Sequence, residues 1–131
     1  AKMKANQGQF VLYGQEKSSR TYEPVPYAPN RVAVIQDSSC ASAAEQFLLY
    51  ALQSDKTTTY GASNSKGALD YANLNELPLP GIPYVLNVPT SRSTRLPEVS
   101  VDKAGIAPQV KLPADAKDVV RYVQEQLSRR Q

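Results

Sequence analysis

The sequence predicts an α/β fold, and three adjacent stretches carry that expectation. Val32-Ala-Val-Ile35 is a short β-branched run, apolar on both faces, as in a strand buried within a parallel sheet. Ala41 to Gln53 places apolar residues at 44, 47, 48, 51 and 52, the i, i+3, i+4 spacing of a helix with one buried face. Thr57-Thr-Thr-Tyr60 is again β-branched and is closed by Gly61. Strand, helix and strand in that order make a βαβ unit, whose two strands run parallel.

The remaining elements follow in order. Residues 1–30 read as an irregular lead-in broken by Gly8, Gly14, Pro24, Pro26 and Pro29, with one strand candidate at Phe10-Val11-Leu12-Tyr13 and a loop from 15 to 30. Residues 31–131 read as one domain. Residues 61–75 are rich in Gly, Ser and Asn and should be a surface loop. Tyr84 to Val88 is a further strand, and Pro78, Pro80 and Pro83 forbid a continuous central strand before it. Residues 89–113 read as a long connection with short extended pieces at 99–101 and 110–112. The chain ends in a helix over Ala114 to Arg130, where Val119, Val120, Val123 and Leu127 form an apolar stripe. Asp115 and Asp118 near its start and Arg129 and Arg130 at its end suit the helix dipole.

Composition narrows the function. With 15 Lys and Arg against 12 Asp and Glu, the net charge is only +3 and the basic residues are scattered, which does not propose nucleic acid as a partner. No apolar run approaches the roughly 20 residues of a membrane span, and no secretory signal opens the chain. There is no His, so a Ser-His-Asp triad cannot be assembled from these residues alone. The single Cys40 allows no internal disulfide. No metal-ligand spacing and no Gly-rich phosphate loop is present, so no metal or cofactor is expected. The opening Ala-Lys-Met-Lys-Ala-Asn-Gln-Gly suggests a piece of a longer polypeptide.

The turn Ser38-Ser-Cys-Ala-Ser-Ala-Ala-Glu45 joins the first strand to the first helix. A Ser there has two readings. Ser42 and Glu45 have the spacing of a capping box, in which each side chain satisfies an N–H at the helix start. A Ser at the positive end of a helix is equally placed to be a nucleophile, because the N–H groups and the dipole favour a developing oxyanion. The two roles are compatible. Cys40 has no basic neighbour in the local sequence to lower its pKa and reads as a small packing residue.

Four blocks between about residues 30 and 113 carry a resemblance to the C-terminal processing (tail-specific) and tricorn-core serine peptidases. They are Arg31 to Glu45 with Ala-Ser-Ala-Ala-Glu at its centre, Thr57-Thr-Thr-Tyr-Gly61, Lys66-Gly67, and Gly105-Ile-Ala-Pro-Gln-Val110. The resemblance implies a partial crotonase-like ββα spiral core, the C-terminal part of a peptidase domain, with Ser42 as nucleophile and the Ala43 N–H as an oxyanion donor. In the Ser-Lys branch the base would be Lys66, 24 positions after Ser42. The loop here lacks that branch's Glu and is one residue shorter, and Asp70 stands where a Gln would orient the amine. A carboxylate at that place favours protonated Lys. In the tricorn-like branch a Glu precedes the Gly-Ile-x-Pro block, at the place of Asp102, and the His and second Ser would lie upstream of Ala1. The departures around Lys66 favour this second route. Glu45 and Asp70 would support the site, and Arg92 and Arg95 would face a substrate carboxylate.

The expectation is a serine endopeptidase acting on a protein or peptide substrate, exported to the periplasm or cell envelope, and incomplete without an N-terminal part of the same polypeptide. The other reading is a peptidase-like binding or assembly module that has lost its base. Bare strand edges also leave room for a homo-oligomer.

Overall fold

A computed structural model describes residues 2–12, 21, 23 and 25–129. Its centre is a three-stranded parallel sheet of β1 (Val32–Gln36), β2 (Thr57–Gly61) and β5 (Val110–Lys111), in the spatial order β1-β2-β5. β1 pairs with β2 from Val32↔Thr57 to Gln36↔Gly61, and β2 pairs with β5 at Tyr60↔Val110 and Gly61↔Lys111. Helix α1 (Ala43–Ala51) is the crossover between β1 and β2, so the βαβ unit expected from the sequence is present.

Period-two alternation gives the sheet two chemically different faces. Ala33, Tyr60 and Val110 lie on one face, where they meet Leu112 and the stripe Val119, Tyr122, Val123 and Leu127 of helix α2 (Val119–Arg129). Tyr60 and Val123 are buried there, and this is the core cluster of the described residues. The neighbouring positions Gln36 and Thr59 point the other way and are buried although polar. Each finds a partner from the chain around residues 106–109: Gln36 Nε2 donates to Ile106 O (2.6 Å), while Thr59 and Gln109 exchange two bonds of 3.0 Å. Helix α2 starts at Val119, five residues later than the expected Ala114 and at the first residue of the apolar stripe. The Asp118 carboxylate accepts the Arg121 N–H (2.9 Å) and supplies the cap that sets the start.

A second, separate sheet is a two-stranded antiparallel ribbon of β3 (Tyr71–Pro78) and β4 (Val85–Arg92). Here the structure departs from the expected loop and from the expected start at Tyr84. Because the ribbon covers no core, its apolar residues follow no buried period, and Asn73 and Asn75 read as loop residues in the sequence. Pro78 ends β3, as its missing N–H requires. Residues 99–101 and Phe10 to Leu12 form no strand. Tyr13 and most of the loop at 15–24 lie outside the described residues. The chain therefore has mixed helix and strand, in the general α/β class.

Candidate functional site

The candidate site gathers beyond the carboxyl ends of β1 and β2, where parallel sheets leave a crevice between successive crossovers. After β1, the carboxylate of Asp37 closes a tight turn by accepting the Ser39 N–H (2.8 Å), and Cys40 N–H returns to Asp37 O (3.2 Å). Ser42 then turns the chain into α1 with φ 52° and ψ −110°. A non-glycine residue at positive φ costs of order 1–3 kcal/mol and persists only where its surroundings enforce it.

The enforcing group is Glu45. It is fully buried at 0% exposure, and four donors converge on its carboxylate. Ser42 N–H (3.0 Å) and Ala68 N–H (2.9 Å) reach Oε2, while the Ser65 hydroxyl and Gly67 N–H (both 2.6 Å) reach Oε1. Ser42 and Glu45 thus stand in capping-box register, and the arm from Ser42 N–H to Glu45 is bonded. The Ser42 side chain faces the Glu45 N–H in the reciprocal arm of the box, and Ser42 is exposed. Burial alone would push the Glu45 pKa up. The four donors to its ionised form outweigh that and hold it below the ordinary 4.5.

A second buried carboxylate organises the other side. Asp70 accepts the Ser100 hydroxyl (2.9 Å), Val101 N–H (2.7 Å) and Asp102 N–H (2.9 Å) on Oδ2, and Arg95 Nη2 (3.4 Å) on Oδ1. Asp102 returns the favour: its Oδ1 accepts Leu69 N–H and Asp70 N–H, each at 2.7 Å. The two residues form a reciprocal clamp between the loop after β2 and the loop before β5. Burial raises the Asp70 pKa, but the donors dominate and keep it below its ordinary 3.8.

The loops meet at backbone contact distance. Gly105 has φ +68°, and a Cβ there would stand 2.1 Å from Ser65 O. Gly67 has φ +75°, and its Cβ would meet Gly105 N and Lys103 N at 2.8 Å. Ser65 links the layers, accepting Ile106 N–H (2.7 Å) while donating to Glu45.

The residues singled out from the sequence distribute as follows. Ser42, Ala43 and Glu45 share the start of α1, and Ala43 supplies one of the first N–H groups, which have no intrahelical partner. Lys66 is exposed, its N–H donates to Cys40 O (2.8 Å), and its ammonium makes no hydrogen bond or ion pair among the described residues. It is therefore not bonded to Ser42, and Asp70 bonds Arg95 and backbone rather than Lys66. Arg95 joins the site through Asp70 and through Nη1 to Gln46 Oε1 (3.4 Å). Arg92 sets its guanidinium 5.4 Å from the centre of the Phe10 ring. Ser65, Ser100 and Gln46 escaped the sequence reading. Ser65 had one signal, a Gly two positions on and a second Gly before the Ile-Ala-Pro block.

Among the described residues no group of three His, Cys, Asp or Glu could hold a metal ion, and no helix is long and apolar enough to cross a membrane. No family model, curated protein or solved structure matches the chain.

Proposed function

We propose that this chain is the C-terminal part of a serine endopeptidase with Ser42 as its nucleophile. The observation that supports this best is the Ser42 backbone. A cap needs only ordinary β-region φ, whereas Ser42 holds positive φ while remaining exposed. A strained strand-to-helix turn that exposes a Ser is how a nucleophile is presented to substrate.

In this reading Ser42 Oγ attacks the scissile carbonyl carbon as a base takes its proton. The Ala43 N–H stabilises the oxyanion, aided by the positive end of α1. Collapse breaks the C–N bond, the base returns the proton to the departing amine, and water then hydrolyses the Ser42 ester. The base comes from a His carried elsewhere in the polypeptide. Lys66 is the alternative, and its ammonium would have to turn inward. Glu45, Asp70 and Asp102 hold the loops rather than move protons, since each has at least one carboxylate oxygen engaged by backbone N–H donors.

The second reading is a non-catalytic binding or assembly module. It is favoured by the absence, among the described residues, of any side chain bonded to the Ser42 hydroxyl that could accept its proton. The polypeptide as it occurs naturally is assayed for peptide cleavage beside Ser42→Ala and Ser42→Gly. Loss of cleavage in both is expected, with Ser42→Gly more stable than the parent by roughly 1 kcal/mol because positive φ suits glycine. Cleavage that persists in Ser42→Ala removes the nucleophile assignment.

A further inference from the structure

We propose that the tip of the β3–β4 ribbon docks into the interfacial layer of a lipid bilayer, an inference independent of the Ser42 assignment. Each strand has eight residues, so the ribbon is an arm about 27 Å long. From Leu77 to Ser91 no residue is charged. Residues opposed in the ladder share a face, so Leu77 and Leu86 stand on one face and Leu74 and Val85 on the other. All four are exposed, and so are Leu79 and Ile82 at the turn. A Cβ on Gly81 would meet no atom within 4 Å, so the turn stands clear of the other described residues.

Apolar surface on both faces and at the end selects the occupant. A protein surface laid on the ribbon covers one face, and a second copy paired along its edge covers neither. An apolar medium covers both faces and the tip at once. The backbone of the turn suits that medium, in which no water replaces a missing hydrogen bond. Pro80 and Pro83 carry no N–H, while Leu79 N–H donates to Tyr84 O (3.0 Å) and Tyr84 N–H to Ile82 O (2.9 Å). Of residues 79–84, only Gly81 and Ile82 keep an N–H without a bond among the described residues. Tyr84, 68% exposed, has an apolar ring with a polar end, which belongs at headgroup level. Glu76 bounds the insertion. It lies three residues before Leu79, about 10 Å of strand, close to the roughly 5–10 Å to which interfacial elements penetrate.

The whole chain is sedimented with phosphatidylcholine vesicles, which carry no net charge, and should bind them saturably. Ile82→Ser should lower the partition coefficient roughly ten-fold or more, whereas Phe47→Ser, at a comparably exposed position on α1, should leave it within about two-fold. The sequence has no Trp, so Tyr84→Trp provides a unique reporter. Its emission should shift to the blue on vesicle binding and be quenched by lipids brominated high on the acyl chain. Failure to sediment with vesicles, equal losses in Ile82→Ser and Phe47→Ser, or an unquenched Trp would each overturn the proposal. Binding that needs anionic lipid and vanishes in about 0.5 M salt would overturn it too, because basic residues would then be the attachment. Self-association without vesicle binding, abolished by Ile82→Ser, would replace the bilayer by a second copy as the occupant.

Discussion

The two sheets of this molecule are stabilised in opposite ways. The parallel sheet and its loops bury Tyr60, Leu112 and Val123 and tie their turns with three carboxylates, which reach partners 20 to 33 residues away in the chain besides the local Ser42 N–H. The β3–β4 ribbon is held by its own ladder, and Leu74, Leu77, Leu86 and Val88 remain exposed on it. A two-stranded ribbon on its own is marginal in water. Rigidity is therefore concentrated around Ser42, and the ribbon is the part of the described structure left with apolar surface to cover.

Glycine substitution should expose the contrast most sharply. Gly105→Ala drives a methyl against Ser65 O at 2.1 Å and forces alanine to φ +68°. A loss of about 3 kcal/mol or more is expected, combining steric repacking with the left-handed penalty. Gly81, in the ribbon's connection, has a similar φ of +76° but nothing within 4 Å of its Cβ. Gly81→Ala should cost only about 1 kcal/mol, the conformational part alone. Urea midpoints of the two variants measure the difference, and similar losses would mean that the loops around Gly105 can move apart.

Next in size is the response to acid. Glu45 and Asp70 both titrate below their ordinary values when folded, so the unfolded chain binds more protons in the acid range. Their contribution is complete above the unfolded pKa values near 4.5 and 3.8 and is lost as pH falls through the lower folded ones. Stability should therefore decline between about pH 5.5 and pH 3. Asp70→Asn, less stable at pH 7, should show a shallower decline over that interval. An undiminished slope in the variant would mean that the Asp70 clamp is not formed in solution.

How much of this was legible follows the same division. β1 and β2 stood out as short β-branched runs and α1 by its i, i+3, i+4 spacing, so Val32 to Ile35, Leu48 and Thr57 to Tyr60 announced themselves. The strand at Tyr71 to Pro78 did not, because exposure on both faces removes the selection for alternation that makes a strand visible. In the site, Ser42 and Glu45 stood out because their pairing is local, three residues apart on one helix. The Asp70–Asp102 clamp and the Ser65–Glu45 bond join loops 20 to 33 residues apart, and no short-range pattern encodes such partners. Arg95 was legible as a candidate, but its bond to Asp70, 25 residues away, was not.

The smallest effect tests whether the ribbon is truly uncovered. Leu77 faces Leu86 across the ladder, and both are exposed. Leu77→Ala should then change stability by no more than about 0.5 kcal/mol, the range of surface substitutions, plus a few tenths for the cross-strand pair. A cost of 2 kcal/mol or more is what a buried leucine shows. Such a cost would mean that another surface covers the ribbon in solution. Repeating the measurement over a hundred-fold range of protein concentration would show whether that surface is a second copy, because self-association makes the midpoint rise with concentration and an intramolecular contact does not. A small, concentration-independent change would leave the ribbon as an exposed arm, stabilised only by backbone pairing and by the Arg92–Phe10 contact at its base.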